Sequence, residues 1–488
     1  MIRIFSNVES VRYSAYHIIK AFFQDGDAVQ EKGLPPGSAD DLSGREYLCV
    51  LGGGNEQILN ICADKLDKHE TDIRLYDVLK ELTGRELPWG VLTGVRPVKL
   101  ATELLDKQSR SEFIKHFRSE RRVSERKADL AYDIAVRERE LIRKVLSGND
   151  RDLNSYSLYV GIPICPSICS YCSFCSGPLS VWKDRMEIYV DALIGELTLA
   201  AGWLKDMSLT SVYIGGGTPT VLTEKQMEKL FACLEDNYGA RDSAEYTLEA
   251  GRPDTITKEK LELAKAYGIS RISINPQTMQ QKTLDLVGRR HTAGQVVEAF
   301  ELARKLGFDN INMDVIAGLP GETAGDMADT ISKIAKLGPE NLTVHALAVK
   351  RAAALDSLGT NSAVIDEMRE TAAGGAAAMG MHPYYMYRQK SIAGNHENTG
   401  YAVPGMECIY NVMIMEEVQS IFAFGAGATT KVLLKDKVQN PDRAEGVMTD
   451  MLRQDNASSI ADYMAGWREM AETKEKTFDI GKLPCYYT

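Results

Sequence analysis

Between residues 155 and 350, short β-branched runs alternate with helical segments, and this alternation constrains the fold more than any other feature of the sequence. Strands are predicted at Leu158–Ile162, Ser211–Ile214, Tyr246–Glu249, Arg271–Ile274, Ile311–Ile316 and Leu342–Leu347. Helices are predicted between them at Tyr189–Leu204, Glu224–Asn237, Lys258–Tyr267, Ala293–Leu306 and Ala324–Leu337. Parallel strands joined by helices require right-handed crossovers. The pattern therefore predicts an α/β fold with a partial (βα)6 barrel, in which chemical groups gather at the C-terminal ends of the strands.

The segments on either side of this alternation have a different character. Near the N-terminus, strands are predicted at Ile2–Phe5 and Tyr47–Leu51, and a helix is predicted at His17–Phe23. Helical segments then run to about Leu146, where Ser147-Gly148-Asn149-Asp150 ends the helix. A turn-rich segment begins at Met381. We therefore predict three domains: an N-terminal α+β accessory domain at 1–150, the partial barrel at 151–380, and a mainly helical C-terminal domain at 381–488 that covers the substrate.

The charge of the chain excludes one class of partner. Its 57 Lys and Arg residues against 68 Asp and Glu residues give a formal net charge of −11. Such a surface repels phosphate backbones, so nucleic acid is not expected as a partner. No apolar run reaches the ~20 residues of a membrane span, and the N-terminus lacks the basic and apolar regions of a signal peptide. We therefore predict a cytoplasmic protein without a membrane span.

Four of the nine cysteines, Cys165, Cys169, Cys172 and Cys175, lie within eleven residues, directly after the first predicted barrel strand. Without an export signal, such a cluster indicates a metal or redox site rather than a disulfide framework. Cys165, Cys169 and Cys172, spaced Cys-x3-Cys-x2-Cys, can hold three irons of a [4Fe–4S] cluster and leave the fourth iron open to a ligand. A zinc site and a redox disulfide are the alternatives. Cys175 is left out of the ligand set and is expected to be a packed, uncharged thiol.

The residues around this cluster resemble a known family. Tyr159-Val-Gly161-Ile-Pro-Ile-Cys165-x3-Cys169-x-Tyr171-Cys172 resembles the opening motif of radical S-adenosylmethionine enzymes. More narrowly, it is similar to that of the oxygen-independent coproporphyrinogen III oxidases, whose GGGTPT loop is matched by residues 215–220. The resemblance implies a [4Fe–4S] cluster on the three cysteines and S-adenosylmethionine as a second cofactor.

The same resemblance implies a cofactor-binding role for ten further residues. By analogy, Gly216, Gly217 and Thr218 seat the methionyl end, Arg289 pairs with its carboxylate, and Glu249 binds the amine or ribose. The remaining matches are Gln277 and Asp314 at the ribose hydroxyls, Tyr159 and Tyr171 packed beside the cofactor, and Ala348 as a backbone contact on the adenine side. Taken singly, each of these matches is better explained by a structural role than by cofactor binding. Together they follow successive predicted strands, which would bring them to one rim.

One departure from the family motif indicates which subgroup of the family the chain resembles. Most relatives have histidine where this chain has Gly161, whereas the HemZ-type subgroup has glycine there. That subgroup also carries stretches similar to Trp89–Pro97 and Tyr384–Lys390.

The resemblance also implies a reaction and its partners. The reaction is oxidative decarboxylation of two propionates of coproporphyrinogen III, or of a related tetrapyrrole, with an electron donor such as flavodoxin or ferredoxin. Two alternatives stay open. One is a haem chaperone on the same fold, although that subgroup's His-Asn-x-x-Tyr-Trp is reduced here to Asn411. The other is a radical enzyme that methylates or opens haem itself.

Overall fold

The computed structural model describes residues 2–23, 28–31, 35, 44–53, 56–94, 96–172, 177–347, 362–388, 396–441 and 447–482. These residues form two compact units. The first unit takes the described residues of Met1–Val136, Thr360–Asp366 and Met386–Asn398, and the second those of Arg137–Gly359, Glu367–Tyr385 and Thr399–Thr488. The division into three domains near residues 150 and 380 stays a prediction.

The first unit contains a four-stranded sheet in the order β2-β1-β3-β4. Its strands are β1 Ile2–Ser6, β2 Ala28–Glu31, β3 Glu46–Leu51 and β4 Gln57–Ala63. The helices in this part of the chain are α1 Glu9–Phe22, α2 Lys68–Thr83, α3 Pro97–Leu104, α4 Arg110–Arg121 and α5 Glu125–Val145. Apolar residues of α1 and α2, such as Ile18 and Leu75, share one core with Ile4 and Val50 of the sheet. The two predicted strands are confirmed, and the predicted helix begins earlier, at Glu9.

Six parallel strands in chain order form the centre of the sheet in the second unit. They are β5 Ser155–Ile162, β8 Ser208–Gly216, β9 Glu245–Glu249, β10 Arg271–Ser273, β11 Ile311–Ala317 and β12 Asn341–Ala346. The intervening helices are α7 Met186–Leu204, α8 Glu224–Tyr238, α9 Lys258–Ala266, α11 Ala293–Lys305 and α12 Ala324–Leu337. Shorter elements are β6 Ile164–Cys165, β7 Gly177–Pro178, α6 Leu179–Trp182, α10 Gln281–Leu286 and the 3₁₀ turns Lys183–Arg185, Pro219–Val221, Ala240–Asp242 and Pro253–Thr255. The predicted six-stranded partial barrel is confirmed.

Local sequence explains where the barrel helices begin. Thr223, Thr292 and Thr323 are N-caps of α8, α11 and α12, and each forms a capping box with the residue three positions later. The reciprocal hydrogen bonds satisfy backbone donors that the first helical turn leaves without a partner. Along β10, Arg271 and Ser273 alternate with the fully buried Ile272, so polar and apolar side chains point to opposite faces. This alternation gives the inside of the barrel its polar groups.

The sequence predicts a mainly helical C-terminal segment, and this detail is wrong. Its described residues contain five strands, β13 His382–Arg388, β14 Glu397–Ala402, β15 Ser420–Phe424, β16 Thr429–Gln439 and β17 Met448–Asp455. The helices from residue 362 onward are α13 Ser362–Ala378, α14 Ile409–Glu416 and α15 Ile460–Lys482. β15 adds a seventh parallel strand beside β5, and β16 and β17 extend that edge as an antiparallel pair. The reason is a period of two at the start of β16, where Thr430 and Val432 are buried and Lys431 is not.

None of the described helices is both long and apolar enough to cross a membrane.

A buried ion pair fastens the last helix to the first long helix of the barrel. Lys474 of α15 donates from Nζ to Glu196 Oε1 of α7 at 2.5 Å, and both side chains are 0% exposed. Tyr463 Oη donates to the other carboxylate oxygen at 2.6 Å, and Asn456 Nδ2 donates to Glu196 Oε1 at 3.0 Å. The backbone N–H of Gly425 also donates to Glu196 Oε2, at 3.1 Å. One carboxylate therefore organises α15 and the turn after β15.

We expect Lys474→Met to destabilise the protein strongly because it leaves the buried Glu196 carboxylate without its cation. Breaking a buried pair from one side typically costs about 3–5 kcal/mol. The measurement is the urea midpoint of the transition reported by the helical signal. Lys229→Met is the matched control, since Lys229 pairs with Glu187 and Asp191 where all three side chains are exposed and such pairs contribute little. Equal midpoints for the two variants would contradict the expectation.

Candidate active site

The three predicted iron ligands lie in a loop that leaves the end of β5, called here the cysteine loop (residues 163–172). Cys165 ends the short strand β6, and the N–H of Cys172 donates to the carbonyl of Cys169 at 3.0 Å. Burial raises the pKa of the Cys165 thiol, the hydrogen bond from Thr218 opposes that rise, and the nearby Cys172 and Cys169 add to it. The three thiols are therefore close enough to influence one another electrostatically. Cys175 lies outside the described residues.

The glycine loop (residues 215–220) packs directly on the cysteine loop. The N–H of Gly217 donates to Ile162 O, and the N–H of Thr218 donates to Ile164 O, both at 2.9 Å. A Cβ on Gly217 would lie 2.7 Å from Ile164 N and 2.9 Å from Ile162 O, closer than real Cβ contacts. Thr218 Oγ1 donates to Cys165 Sγ at 3.4 Å. Only glycine allows the two backbones to approach this closely.

Glu249 ends β9 beside three stacked tyrosines. Tyr213 Oη donates to Glu249 Oε1 at 2.5 Å. The Tyr213 ring stacks on Tyr410 with a centroid distance of 4.6 Å, and Tyr159 stacks at 6.2 Å from Tyr213 and 6.1 Å from Tyr410. Burial raises the pKa of Glu249 to about 7, while the hydrogen bond from Tyr213 opposes the rise and the charge of Asp314 adds to it. Glu249 thus titrates in the neutral range.

Arg289 and Tyr171 are linked by a hydrogen bond. Arg289 Nη1 donates to Tyr171 Oη at 3.0 Å, and Nη2 donates to the carbonyls of Gly251 and Asn275 at 2.8 and 2.6 Å. Its Nε is buried and makes no hydrogen bond within the described residues. The guanidinium therefore braces the loops after β9 and β10 and the cysteine loop at once.

Gln277 has an unusual backbone and an orphaned side-chain atom. Its φ of +65° is left-handed, a region that residues other than glycine rarely adopt. Its N–H donates to Asp314 O, and its carbonyl accepts from Ile316 N, both at 2.9 Å. The side-chain Oε1 is buried without a hydrogen bond among the residues that the structure describes. A buried acceptor in this state fits a ligand that brings its own donor.

Asp314 lies on β11 next to His345 of β12. Asn312 Nδ2 donates to Asp314 Oδ1 at 2.7 Å, and His345 Nε2 lies 3.6 Å from Oδ2. Burial alone would raise the pKa of Asp314, but His345, Asn312 and Thr343 together hold it below its ordinary value. Asp314 is therefore an ionised acceptor at neutral pH. Ala348, the predicted contact on the adenine side, lies outside the described residues.

The three thiols of the cysteine loop are donors that a [4Fe–4S] cluster can use. Among the described residues, no group of three His, Cys, Asp or Glu side chains converges on one metal ion. In a [4Fe–4S] cube each thiolate binds a different iron, so three sulfurs need not converge on one point. The close glycine loop, the orphaned Gln277 Oε1 and the three neighbouring thiols all fit such a cluster with a bound nucleoside ligand.

Two residues near this rim were missed from the sequence. Arg252 follows β9 and contacts Cys169 Sγ from Nη1 at 3.9 Å, and His345 contacts Asp314. Arg252 is adjacent in sequence to Pro253-Asp254, which is typical of a surface ion pair, and His345 stands within an apolar strand. A signal for His345 was available, since it is followed at once by the end of the sixth barrel strand, where functional groups gather.

Comparisons with known proteins show which proteins the chain resembles. A model of the family described as the Radical SAM superfamily matches residues 159–334. The chain is 39% identical over 369 residues to "Oxygen-independent coproporphyrinogen-III oxidase-like protein HemZ" of Bacillus subtilis (strain 168), covering 74% of this chain and 73% of that protein. It is 31% identical over 280 residues to "Heme chaperone HemW" of the same organism, covering 56% of this chain and 70% of that protein. The structure of the Escherichia coli coproporphyrinogen III oxidase HemN superposes with a TM-score of 0.52 at 23% identity, over 65% of this chain and 70% of that chain.

We expect Gly217→Ala to separate the glycine loop from the cysteine loop, because the new methyl group would meet backbone atoms that cannot turn away. Iron bound after anaerobic reconstitution should fall severalfold, as should retention of S-adenosylmethionine. Gly202→Ala is the matched control, since a Cβ there meets nothing within 4 Å. Iron binding by Gly217→Ala at the level of the control would contradict the proposed contact.

Proposed function

This chain belongs to the HemN/HemZ-like family of radical S-adenosylmethionine proteins, and on that premise we propose that it is a coproporphyrinogen III dehydrogenase. The reaction converts two propionates of coproporphyrinogen III to vinyl groups with loss of carbon dioxide, and gives protoporphyrinogen IX. The observation that carries the proposal is the packing of the glycine loop on the cysteine loop, with Thr218 hydrogen-bonded to Cys165. The similarity to HemZ across about three quarters of both chains supports the substrate class.

In this proposal Cys165, Cys169 and Cys172 each hold one iron of a [4Fe–4S] cluster. When bound, the cluster and S-adenosylmethionine supply a radical strong enough to remove hydrogen from an unactivated carbon. The electron donor is a small redox protein such as a flavodoxin or a ferredoxin. The contribution of this chain is to bind, orient and exclude water.

Three hydrogen-bond acceptors, on or directly after β9, β10 and β11, are suited to bind S-adenosylmethionine. Glu249 in its anionic form accepts from the amine or a ribose hydroxyl, since charged acceptors make the stronger hydrogen bonds. Asp314, held ionised by His345 and Asn312, accepts from a ribose hydroxyl. The buried Gln277 Oε1, which has no hydrogen bond within the described residues, accepts from another. Gly216, with a left-handed φ of +103°, lets the backbone pass close to the methionyl end.

A haem chaperone is the second candidate, because the chain is 31% identical to HemW over 280 residues. The position of that subgroup's histidine is taken here by Tyr410. Its ring is buried and stacked on Tyr213 and Tyr159, an arrangement that offers no imidazole to a haem iron. This observation favours the dehydrogenase.

The deciding experiment is anaerobic reconstitution with iron and sulfide, reduction, and incubation with S-adenosylmethionine and coproporphyrinogen III. The proposal expects 5′-deoxyadenosine together with protoporphyrinogen IX, and loss of both in Cys169→Ser. Cys62→Ser is the matched control, since Cys62 is a half-buried thiol of β4 in the other unit. Cleavage of the cofactor without a porphyrin product would overturn the substrate, and stoichiometric haem binding without turnover would favour the chaperone.

A pH dependence follows from the raised pKa of Glu249. The carboxyl loses its proton as pH rises through about 7, so the acceptor becomes anionic and S-adenosylmethionine should bind more tightly at pH 8 than at pH 6. Glu249→Gln cannot ionise and should bind roughly tenfold more weakly at pH 8, the loss expected for one charged hydrogen bond. Equilibrium dialysis of the reconstituted proteins measures this. The ratio of the two affinities removes the titration of the cofactor's own amine, and a ratio that does not change with pH would count against the role of Glu249.

A further inference from the structure

A buried arginine, Arg252, donates hydrogen bonds to the cysteine loop. Arg252 lies directly after β9 and is 3% exposed. Its Nη1 donates to the carbonyl of Ser167 at 3.3 Å and to Ser167 Oγ at 3.2 Å, and lies 3.9 Å from Cys169 Sγ, within hydrogen-bond range for sulfur. The other edge of the guanidinium binds both oxygens of Asp254, from Nε and Nη2 at 3.0 Å each. One edge of the Arg252 guanidinium therefore binds Asp254, and the other edge contacts the cysteine loop.

Among the described residues, two buried cations and one carboxylate lie around Cys169. Arg252 and Arg289 are both buried cations, and Asp254 is the carboxylate paired with the first of them. His291 is 1% exposed, its Nδ1 lies 4.0 Å from Asp254 Oδ1, and neither ring nitrogen has a hydrogen bond within the described residues. Burial, followed by the charges of Arg289 and Arg252, lowers the pKa of His291 to about 3, so this ring is neutral at pH 7. Near Cys169 there are thus two positive charges, on Arg252 and Arg289, and one negative charge, on Asp254.

We propose that Arg252 is a positioning residue that holds Cys169 in the cysteine loop and raises the reduction potential of the cluster bound there. This inference rests on the proposed function, because it requires the cluster. An N–H directed at a cysteine sulfur and an uncompensated positive charge both stabilise the more negative, reduced form. A cluster without Arg252 would be harder to reduce.

The shape of arginine separates the two parts of this role. Lysine keeps the charge but is a point donor without a planar fork, so it cannot bind both oxygens of Asp254 and still reach Ser167 and Cys169. Glutamine keeps a hydrogen-bond donor and loses the charge. Arg252→Lys therefore tests the geometry, and Arg252→Gln tests the charge.

The experiment is a redox titration of the reconstituted full-length protein without S-adenosylmethionine, followed by the electron paramagnetic resonance signal of the reduced cluster, with iron per chain measured on the same samples. In Arg252→Gln, at a fixed potential, the ratio of reduced to oxidised cluster should fall at least about tenfold, which is 59 mV for a one-electron couple. In Arg252→Lys, the ratio of reduced to oxidised cluster should fall by less. Arg241→Gln is the matched control, since Arg241 lies before β9, at the opposite end of the strand, and is exposed.

Loaded Arg252→Gln protein with the potential of the control would overturn this inference and leave the proposed function intact. A wild-type chain that binds no iron under any condition would overturn the proposed function, and this inference with it. Should Arg252→Gln bind no iron, Arg252→Lys decides: a potential below that of the wild type supports the role, and an unchanged potential overturns it.

Discussion

The approach of two backbones, one after β5 and one after β8, is the constraint on which the candidate site depends. The N–H groups of Gly217 and Thr218 bind carbonyls of Ile162 and Ile164, and no side chain at position 217 would fit between them. This contact places Thr218 on Cys165 and brings the other strand ends of the barrel around the cysteine loop. A parallel sheet makes it available, since it delivers the carboxyl ends of successive strands to one edge.

The same close packing limits which side chain fits at position 161. A Cβ on Gly161 would lie 3.2 Å from Phe424 O, and a Cβ on Gly425 would lie 2.3 Å from Gly161 O. Tyr189 Oη donates to Gly161 O at 2.7 Å and accepts from Ala426 N at 3.2 Å, which closes the space further. The turn after β15 therefore makes even a Cβ at position 161 a tight contact, which glycine avoids. His345, beside Asp314, is an imidazole that the barrel places on its own sixth strand.

Much of the barrel could be predicted from the sequence, because strand and helix periods and capping residues such as Thr223 act over a few residues. The cluster ligands could be proposed for the same reason, since three cysteines at short spacing restrict one another. The pairing of β15 with β5 could not be predicted, because it joins segments separated by more than two hundred residues, and a short, mostly apolar run fits several structures. Arg252 was missed because its contact with Cys169 depends on the packing of two loops, which its neighbours in the sequence do not reveal.

The buried Lys474–Glu196 pair has a consequence for how the protein matures. It joins the final helix to the first long helix of the barrel, and the carboxylate it neutralises also holds the turn that lies against Gly161. During synthesis the chain emerges from its N-terminus, so the cysteines leave the ribosome long before Lys474 does. The backbone beneath the cysteine loop therefore gains this support only after Lys474 has been synthesised. The surroundings of the three cysteines are therefore complete only once α15 has folded onto α7.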